Sequence, residues 1–175
     1  MRDSVTLERE AAAHIASLMA AAARTAPKTR GIDNIRVVAV DDAESKERLC
    51  AKMIEIAGRE NRPGLARDAR CIAAAPVVIV IGVVANPAKL DCGFCGQKTC
   101  DALQAEHGVC AYNSIDLGIA VCSAAATASQ LHADCRVMYS IGYASLELKL
   151  LGDDVRQALG IPVSITGKSP YFDRS

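Results

Sequence analysis

The spacing of apolar side chains predicts an amphipathic helix at the start of the chain. The apolar residues that recur at intervals of three and four are Leu7, Ala11, Ile15, Leu18, Met19 and Ala22. They share one face of a helix that runs to about Ala23. The helix stops at the segment Arg24-Thr-Ala-Pro-Lys-Thr-Arg-Gly31, in which Pro27 and Gly31 disfavour helix and three cations stand close together.

Two apolar segments predict strands, and a helix lies between them. Ile35 to Val40 is β-branched, whereas Val77 to Val84 is continuously apolar, as expected of a central strand covered on both faces. The helical positions between these strands are Leu49, Met53 and Ile56. The turn Asn61-Arg-Pro-Gly64 ends this second helix. Strands that alternate with helices predict an α/β layer.

The second half of the chain predicts two further helices and a short strand. Ile115 to Leu131 reads as a helix buried all round, with Asn113 and Asp116 as its N-terminal cap. Asp134 precedes another helical pattern, and Ile161 to Ile165 predicts a last strand. The apolar positions of that pattern are Val137, Ile141, Ala144, Leu148 and Leu151. The expected fold is α/β (α+β), with a mixed sheet covered by helices.

Length and charge limit the function classes. We expect residues 1–175 to form one domain without a linker or an internal repeat, large enough to fold without a metal, so that a metal site would be functional. Lys plus Arg total 20 and Asp plus Glu total 20, which gives no electrostatic reason to expect nucleic acid or a membrane surface as partner. Three His, no Trp and two Phe also leave few platforms for stacking bases.

Eight cysteines raise the alternative of a secreted, disulfide-bonded protein. The segment Met1 to Glu10 mixes acids and bases, unlike a signal peptide, which has a basic start and an apolar core. The longest apolar run, Cys71 to Ala85, contains Pro76 and Gly82 and is shorter than the about 20 residues of a membrane span. We therefore expect a cytoplasmic protein in a reducing compartment, where clustered cysteines more often bind metal.

The segment Cys92-Gly-Phe-Cys95-Gly-Gln-Lys-Thr-Cys100, closed by Cys110, carries the candidate chemistry. Its gaps of two, four and nine residues place three thiols on one tight loop and a fourth after a short helix. Gly93 and Gly96 permit the positive φ that lets backbone N–H groups point at inorganic sulfides. Residues 90–111 therefore predict a segment that binds a 4Fe-4S cluster, with a helix beginning at Cys100 and facing the anionic cluster.

Two other interpretations of this segment remain open. Structural zinc also takes four thiolates, although zinc sites usually consist of two separated Cys-x-x-Cys pairs. A thioredoxin-like pair needs no third and fourth cysteine. Cys122 is the alternative to Cys110 as fourth ligand, and we otherwise expect the remaining cysteines to be small buried core residues. Those are Cys50, Cys71, Cys122 and Cys135.

Several segments along the chain resemble a known family. They are Arg24-Thr-Ala-Pro-Lys28, Arg67-Asp68, the cysteine segment, Asp116-Leu-Gly-Ile-Ala120, Gly160-Ile-Pro-Val-Ser-Ile-Thr-Gly-Lys168 and Tyr171-Phe-Asp-Arg174. Together they resemble an uncharacterised prokaryotic family described as containing a ferredoxin domain. The cysteine segment alone is similar to the 4Fe-4S domain of the Rnf-complex B subunit and of the corrinoid iron-sulfur protein. That similarity implies Cys92, Cys95, Cys100 and Cys110 as ligands, with a shorter gap before Cys110.

A second resemblance concerns a flavin. Arg24, Lys28 and Arg30 after the first helix, the helix from Asp116 and a C-terminal strand ending in Lys168 are similar to the layout of nitroreductase-like proteins. In that layout the early basic residues bind the flavin phosphate, which implies FMN as a cofactor. The alternative is an ordinary solvated basic loop.

These observations predict an electron-transfer protein that carries one 4Fe-4S cluster, because four thiolates leave no open position for Lewis-acid chemistry. Its partner would be a redox protein or a small-molecule acceptor. The nitroreductase-like layout implies a homodimer. The alternatives are a flavin-dependent oxidoreductase fed by the cluster and a zinc-stabilised binding module without redox activity. The sequence indicates no catalytic residue.

Overall fold

The computed structural model describes residues 1–172. The helices are α1 (Ser4–Thr25), α2 (Ala43–Arg59), α3 (Pro63–Ala73), α4 (Cys100–Ala105), α5 (Ala111–Gln130) and α6 (Tyr139–Glu147). The strands are β1 (Ile35–Val40), β2 (Val77–Val84), β3 (Asp134–Cys135) and β4 (Val155–Ser164). Short 3-10 turns cover Thr29–Gly31 and Pro170–Phe172. Of the C-terminal family segment, Asp173 and Arg174 lie outside the described residues.

The four strands form one sheet in the order β1-β2-β4-β3, and every pair is antiparallel. The predicted fold class is confirmed, but the strand directions differ from the mixed sheet that we expected. The reason lies in the connection from β1 to β2, which contains two helices rather than one. A single helix would return the chain to the start of β1, whereas α2 followed by α3 brings it back to the end of β1.

Helices cover both faces of this sheet. α1 and α5 pack together on one face, where Met19 and Leu117 meet Ile79 of β2. α2, α3 and α6 cover the other face, where Leu49 and Ile141 belong to the same apolar cluster as alternate residues of β2. Successive side chains of a strand point to opposite faces, so β2 is buried on both, as its continuous apolar sequence predicts.

Three elements differ from the prediction. The turn expected at 61–64 is followed at once by α3, which begins at Pro63 because proline suits the first position of a helix. The helical pattern expected after Asp134 is divided into β3 and the shorter α6. β4 begins at Val155, well before the expected Ile161, because its first half pairs with the end of β2.

α5 begins earlier than expected, with Cys110 as its N-cap residue. Asn113 and Asp116 therefore lie inside the helix, where both are buried. The prediction of a helix buried all round is wrong, because Ile115 is 44% exposed and Ile119 is 37% exposed. Within the described part of the chain, α5 and the other helices fall short of the length and apolarity that a bilayer crossing requires.

Candidate metal centre

The cysteine segment lies between the end of β2 and the start of α5. Cys92, Cys95, Cys100 and Cys110 all line one pocket, so the structure brings together the four thiols that the spacing singled out. Cys100 and Cys110 are buried, Cys95 is half-buried and Cys92 is exposed. None of the four is in a disulfide. The pocket therefore has two thiols at its base and one at its rim.

Two glycines shape the loop that carries Cys92 and Cys95. Gly93 has φ of 74° and Gly96 has φ of 83°, in the left-handed region that favours glycine. A Cβ at either position would meet no atom within 4 Å, so the backbone conformation and not lack of space requires glycine there. The N–H of Gly96 donates to the carbonyl oxygen of Gly93 at 2.9 Å, which closes the turn between the two cysteines.

Side chains on either side of Cys100 fix the start of α4. Thr99 is the N-cap residue, and its hydroxyl accepts from the N–H of Ala102 at 3.1 Å. The N–H of Cys100 donates to a carboxylate oxygen of Asp91 at 2.6 Å. Asp91 itself has φ of 47°, a conformation that Asp and Asn tolerate better than most residues. No pattern in the sequence predicts this contact, since its geometry depends on how the loop folds back.

An apolar wall closes the inner side of the pocket. Ala88, Leu103 and Cys110 form a small buried cluster, and Tyr112 packs against it. The ring of Phe94 stacks on Tyr112 with centroids 5.6 Å apart. Phe94 is nevertheless 68% exposed, so it covers Tyr112 from the solvent side. This wall keeps water away from the buried thiols.

Contacts to distant parts of the chain hold both ends of the segment. The guanidinium of Arg30 donates to the carbonyl oxygen of Ala88 at 2.9 Å. The side-chain amide of Asn113 donates to the carbonyl oxygen of Asn86, also at 2.9 Å. Both acceptors lie in the stretch that follows β2, so the loop after α1 and the first turns of α5 together position the approach to Cys92.

The four thiols surround the pocket without converging on a single point. Within residues 1–172, no group of three or more His, Cys, Asp or Glu side chains has the geometry to hold one metal ion. A tetrahedral zinc ion would hold its thiolate sulfurs about 3.8 Å apart, because Zn–S bonds are about 2.3 Å long. The thiols of this pocket are therefore not arranged around one zinc ion in this structure.

The other cysteines lie away from this pocket. Cys122 is exposed on α5, 12 residues or about 18 Å along the helix from Cys110. The prediction that Cys122 is buried is therefore wrong, and it is Cys110 that lines the pocket. Cys50, Cys71 and Cys135 are half-buried. Burial raises the pKa of the Cys50 and Cys135 thiols, which keeps them protonated.

The basic residues in the last turn of α1 and in the loop after it make internal contacts. Arg24 pairs with Asp33 and donates to the carbonyl oxygen of Ile35. The ammonium of Lys28 donates to the carbonyl oxygens of Arg24 at 2.5 Å and Ala26 at 3.0 Å. These contacts and that of Arg30 with Ala88 tie the basic loop to α1, β1 and the cysteine segment. Sequence reasoning did not distinguish such a structural role from phosphate binding.

Lys168 and the basic loop are connected to opposite ends of the sheet. Lys168 follows β4, whose Val163 pairs with Val77 at the start of β2. The basic loop precedes β1, whose Ile35 pairs with Val83 at the other end of β2. Six residues of strand separate these ends, or about 20 Å.

The sequence and the fold both have relatives. Residues 106–174 match the family described as "Uncharacterized protein containing a ferredoxin domain", a range that includes Cys110 and ends beyond the described residues. An uncharacterised protein of Archaeoglobus fulgidus is 38% identical over 169 residues, which cover 91% of this chain and 90% of that protein. The chain belongs to this ferredoxin-domain family. The similarity to the Archaeoglobus protein extends beyond the residues that match the family model and covers most of the chain.

Solved structures of nitroreductases share the fold of this family member. A nitroreductase with bound FMN from Desulfitobacterium hafniense is 18% identical, with a TM-score of 0.62 over 96% of this chain and 80% of that one. A nitroreductase with bound FMN from Bacteroides fragilis is 12% identical, with a TM-score of 0.63 over 89% and 78%. NfrA2 from B. megaterium is 17% identical, with a TM-score of 0.57 over 89% of this chain, which spans only 58% of its length. The fold is therefore nitroreductase-like.

Proposed function

We propose that this protein binds a 4Fe-4S cluster through Cys92, Cys95, Cys100 and Cys110 and acts in electron transfer. The observation that carries the proposal is that all four thiols line one pocket. Membership of a family described by a ferredoxin domain supports it. When bound, such a cluster supplies one-electron transfer at a potential set by its hydrogen bonds, charge and exposure.

The residues of the pocket fit this group better than a single zinc ion. A cuboidal cluster needs four thiolates at the corners of a tetrahedron wider than that around one metal ion. The four thiols line one pocket, and among residues 1–172 they do not have the close spacing of a single-ion site. The glycine turn at Gly93 and Gly96 allows the chain to reverse between ligands, and the backbone N–H groups of such turns favour an anion.

Each part of the segment has its own task in this proposal. Cys100 and Cys110 sit at the starts of α4 and α5 and give the pocket two fixed positions. Ala88 and Leu103 exclude water from the inner side. Cys92 stands at the exposed rim, which makes it the side from which a redox partner approaches.

Anaerobic purification followed by elemental analysis tests the proposal. We expect roughly four iron and four sulfide per chain, with a broad visible absorbance that dithionite bleaches. Stoichiometric zinc in a colourless sample would contradict the cluster and favour the zinc-stabilised module. A chain that holds neither metal would contradict both interpretations.

Cys110 and Cys122 provide a matched pair for the fourth ligand. Cys110→Ser should lose most of the cluster, because it removes a thiol that lines the pocket. Cys122→Ser changes an exposed thiol elsewhere on the same helix and should retain the iron content of the wild type. Equal iron in the two variants would mean that Cys110 is not a ligand.

A second candidate function is an oxidoreductase in which the cluster feeds FMN. The nitroreductase-like fold, shared with proteins solved with bound FMN, favours this candidate. Arg24, Lys28 and Arg30, the residues that the resemblance implies for the flavin phosphate, each contact other groups of this chain. Their contacts therefore do not support a phosphate site. A flavin spectrum released on denaturation would support the oxidoreductase. No flavin bound after incubation with FMN would count against it.

We expect the partner to be a redox protein or a small-molecule acceptor, and the working compartment to be a reducing one such as the cytoplasm. The homodimer also remains part of the proposal. Lys168 and the basic loop are connected to opposite ends of the sheet, and a second chain would allow residues of both kinds to meet at one FMN. Light scattering on the purified protein tests the dimer. A monomer at micromolar concentration would contradict it.

A further inference from the structure

A second pocket lies beside the cysteine segment, between α5, α6 and the first half of β4. Its volume of about 440 Å³ falls within the roughly 300–1,000 Å³ of small-molecule sites. Its walls combine apolar side chains with arginine and tyrosine. The residues that the argument uses are Arg62, Ser114, Tyr139, Tyr143, Arg156 and Ala158.

The floor of this pocket is an open strand edge. β3 pairs only with Val163 and Ser164 of β4, and Met138 then forms one bridge to Gly160. Among the described residues, no strand continues beyond that bridge on this side of β4. The N–H and C=O groups of successive residues in a strand point alternately to its two edges. Those of Gly160 point towards Met138, so those of Ala158 and Arg156 point to the same edge of β4. These groups therefore lie on the strand edge beside the pocket, where the carbonyl oxygen of Ala158 is covered by Gly142 of α6.

Close packing brings the aromatic side chains to this edge. A Cβ at Gly142 would lie 1.8 Å from the carbonyl oxygen of Ala158, so only glycine lets α6 rest directly on β4. Tyr139 and Tyr143 stand four residues apart on the same face of α6. The guanidinium carbon of Arg62 is 5.4 Å from the centroids of both rings, a distance typical of cation–π contacts.

Hydrogen bonds fix these rings and leave one of them accessible. Arg62 donates to the hydroxyl of Tyr139 at 3.2 Å, and Tyr143 donates to Glu60 at 2.8 Å. Tyr139 is 53% exposed and therefore offers part of its ring to a ligand. Arg156 is exposed on β4, where it adds a second guanidinium.

The available charge at this pocket comes from Arg156, whose side chain is exposed. The other polar groups have partners within the chain: Arg62 pairs with Glu60 at 3.2 Å, and the hydroxyls of Ser114 and Tyr143 donate to Gln157 and Glu60. Arg156 therefore favours a ligand with a negative charge. The exposed ring of Tyr139 favours a planar aromatic body, since stacking needs a flat partner. These preferences together describe a planar aromatic acid, and among such acids a quinone can also accept electrons.

The pocket adjoins the cysteine site through α5. The N–H of Ser114 donates to the carbonyl oxygen of Cys110 at 3.3 Å, so the wall of one pocket lies a single helical turn from the thiol of the other. One turn spans about 5.4 Å. A molecule bound against Ser114 would therefore stand close to the proposed redox centre.

We propose that this second pocket binds planar aromatic acids of the quinone class, as the acceptor of the electrons carried at the cysteine site. This proposal rests on the proposed function for the electron source, but not for binding. A quinone takes up two electrons in successive one-electron steps, with two protons from water, and becomes the hydroquinone. A reduced partner protein supplies the electrons.

Equilibrium dialysis with two anthraquinones tests the pocket on the purified protein. The probes are anthraquinone-2-sulfonate and the uncharged 2-(hydroxymethyl)anthraquinone, whose blocked rings do not add to thiols. We expect the sulfonate to bind the wild type more tightly. Arg156→Gln should weaken the sulfonate about tenfold and leave the uncharged probe unchanged, since it removes one charge-assisted contact. Tyr139→Ala should weaken both probes about tenfold.

The control is Arg70→Gln, which removes an exposed arginine of α3 outside the pocket. It should bind both probes as the wild type does. No binding of the sulfonate, or binding that is unchanged in both Arg156→Gln and Tyr139→Ala, would overturn the proposal. The iron content of each sample is measured separately, so loss of the pocket and loss of the cluster are told apart.

Discussion

Arg30 donates a hydrogen bond from its guanidinium to the carbonyl oxygen of Ala88 at 2.9 Å, across 58 positions of sequence. Next to it, the backbone N–H of Thr29 donates to the carboxylate of Asp116 at 3.0 Å, and its hydroxyl donates to the same oxygen at 2.9 Å. Asp116 is buried, so these donors satisfy a carboxylate that would otherwise be costly. The loop after α1 thus connects α5 to the start of the cysteine segment.

This connection predicts a role for Arg30 in holding the cluster. Arg30→Gln should cost about 1 kcal/mol of local stability, since it removes a hydrogen bond from a charged donor at a partly exposed site. The cysteine segment would then open more often, and iron should be lost to a chelator several times faster than from the wild type. Arg30 has a positive φ, which is equally unfavourable for Arg and for Gln. The change therefore tests the side chain and not the backbone conformation.

Arg70→Gln is the matched control for this variant, because Arg70 is exposed on α3 and distant from the segment. Its rate of iron loss should equal that of the wild type. If Arg30→Gln also releases iron at the wild-type rate, the contact with Ala88 does not support the site.

Two substitutions of Asp91 should differ in how well the protein retains iron. Asp91→Ala removes the acceptor of the Cys100 N–H and should destabilise the start of α4 by about 1–2 kcal/mol. Asp91→Asn keeps an oxygen acceptor and a residue that tolerates φ of 47°. Iron retention after anaerobic gel filtration should therefore fall for Ala and stay near the wild type for Asn. Equal retention in the two variants would contradict a role for this acceptor.

Much of the fold was predictable because local chemistry determines it. β1 and β2 have the bounds that their apolar segments indicate, since β-branched runs flanked by polar residues favour strands. The first helix follows from its spacing of three and four. The cysteine spacing likewise predicted that four thiols meet at one pocket, because short gaps between cysteines keep them close and two glycines permit the tight turn between them.

The remaining features depend on contacts between distant residues. The direction of β2 follows from α3, whose Pro63 begins a helix although the sequence pattern predicts a turn there. The connection of Lys168 and the basic loop to opposite ends of the sheet follows from strand register across the whole sheet. Cys122 and Ile119 are exposed because α5 covers only one face of the sheet, although the apolar sequence of that helix is typical of full burial.

Two buried serines of α6 should respond in opposite directions to alanine. Ser140 donates to Asp68 at 2.7 Å, whereas the hydroxyl oxygen of Ser145 is buried and has no hydrogen-bond partner among residues 1–172. Ser140→Ala should lower the free energy of unfolding by about 1–2 kcal/mol. Ser145→Ala should raise it by roughly 0.5 kcal/mol, since alanine favours helix and leaves no polar group unsatisfied. Urea unfolding measures both, and the same sign of change in the two variants would contradict this reading of α6.

Glu60 predicts a pH dependence of stability that one substitution isolates. Hydrogen bonds from Arg59, then from Tyr143, lower the pKa of the Glu60 carboxyl from 4.5 to about 2. A folded-state pKa below the unfolded value means that the carboxylate stabilises the fold fully above pH 4.5. This contribution is lost as the pH falls from 4.5 towards 2.

We expect the free energy of unfolding of the wild type to fall more steeply over this window than that of Glu60→Gln, in urea titrations at fixed ionic strength. Glu47→Gln is the control, because it removes an exposed carboxylate from the neighbouring α2 surface and should keep the wild-type slope. Parallel slopes for the wild type and Glu60→Gln would show that the Arg59 and Tyr143 contacts do not persist in solution. The position of Tyr143 in the second pocket would then have lost its hydrogen-bonded support.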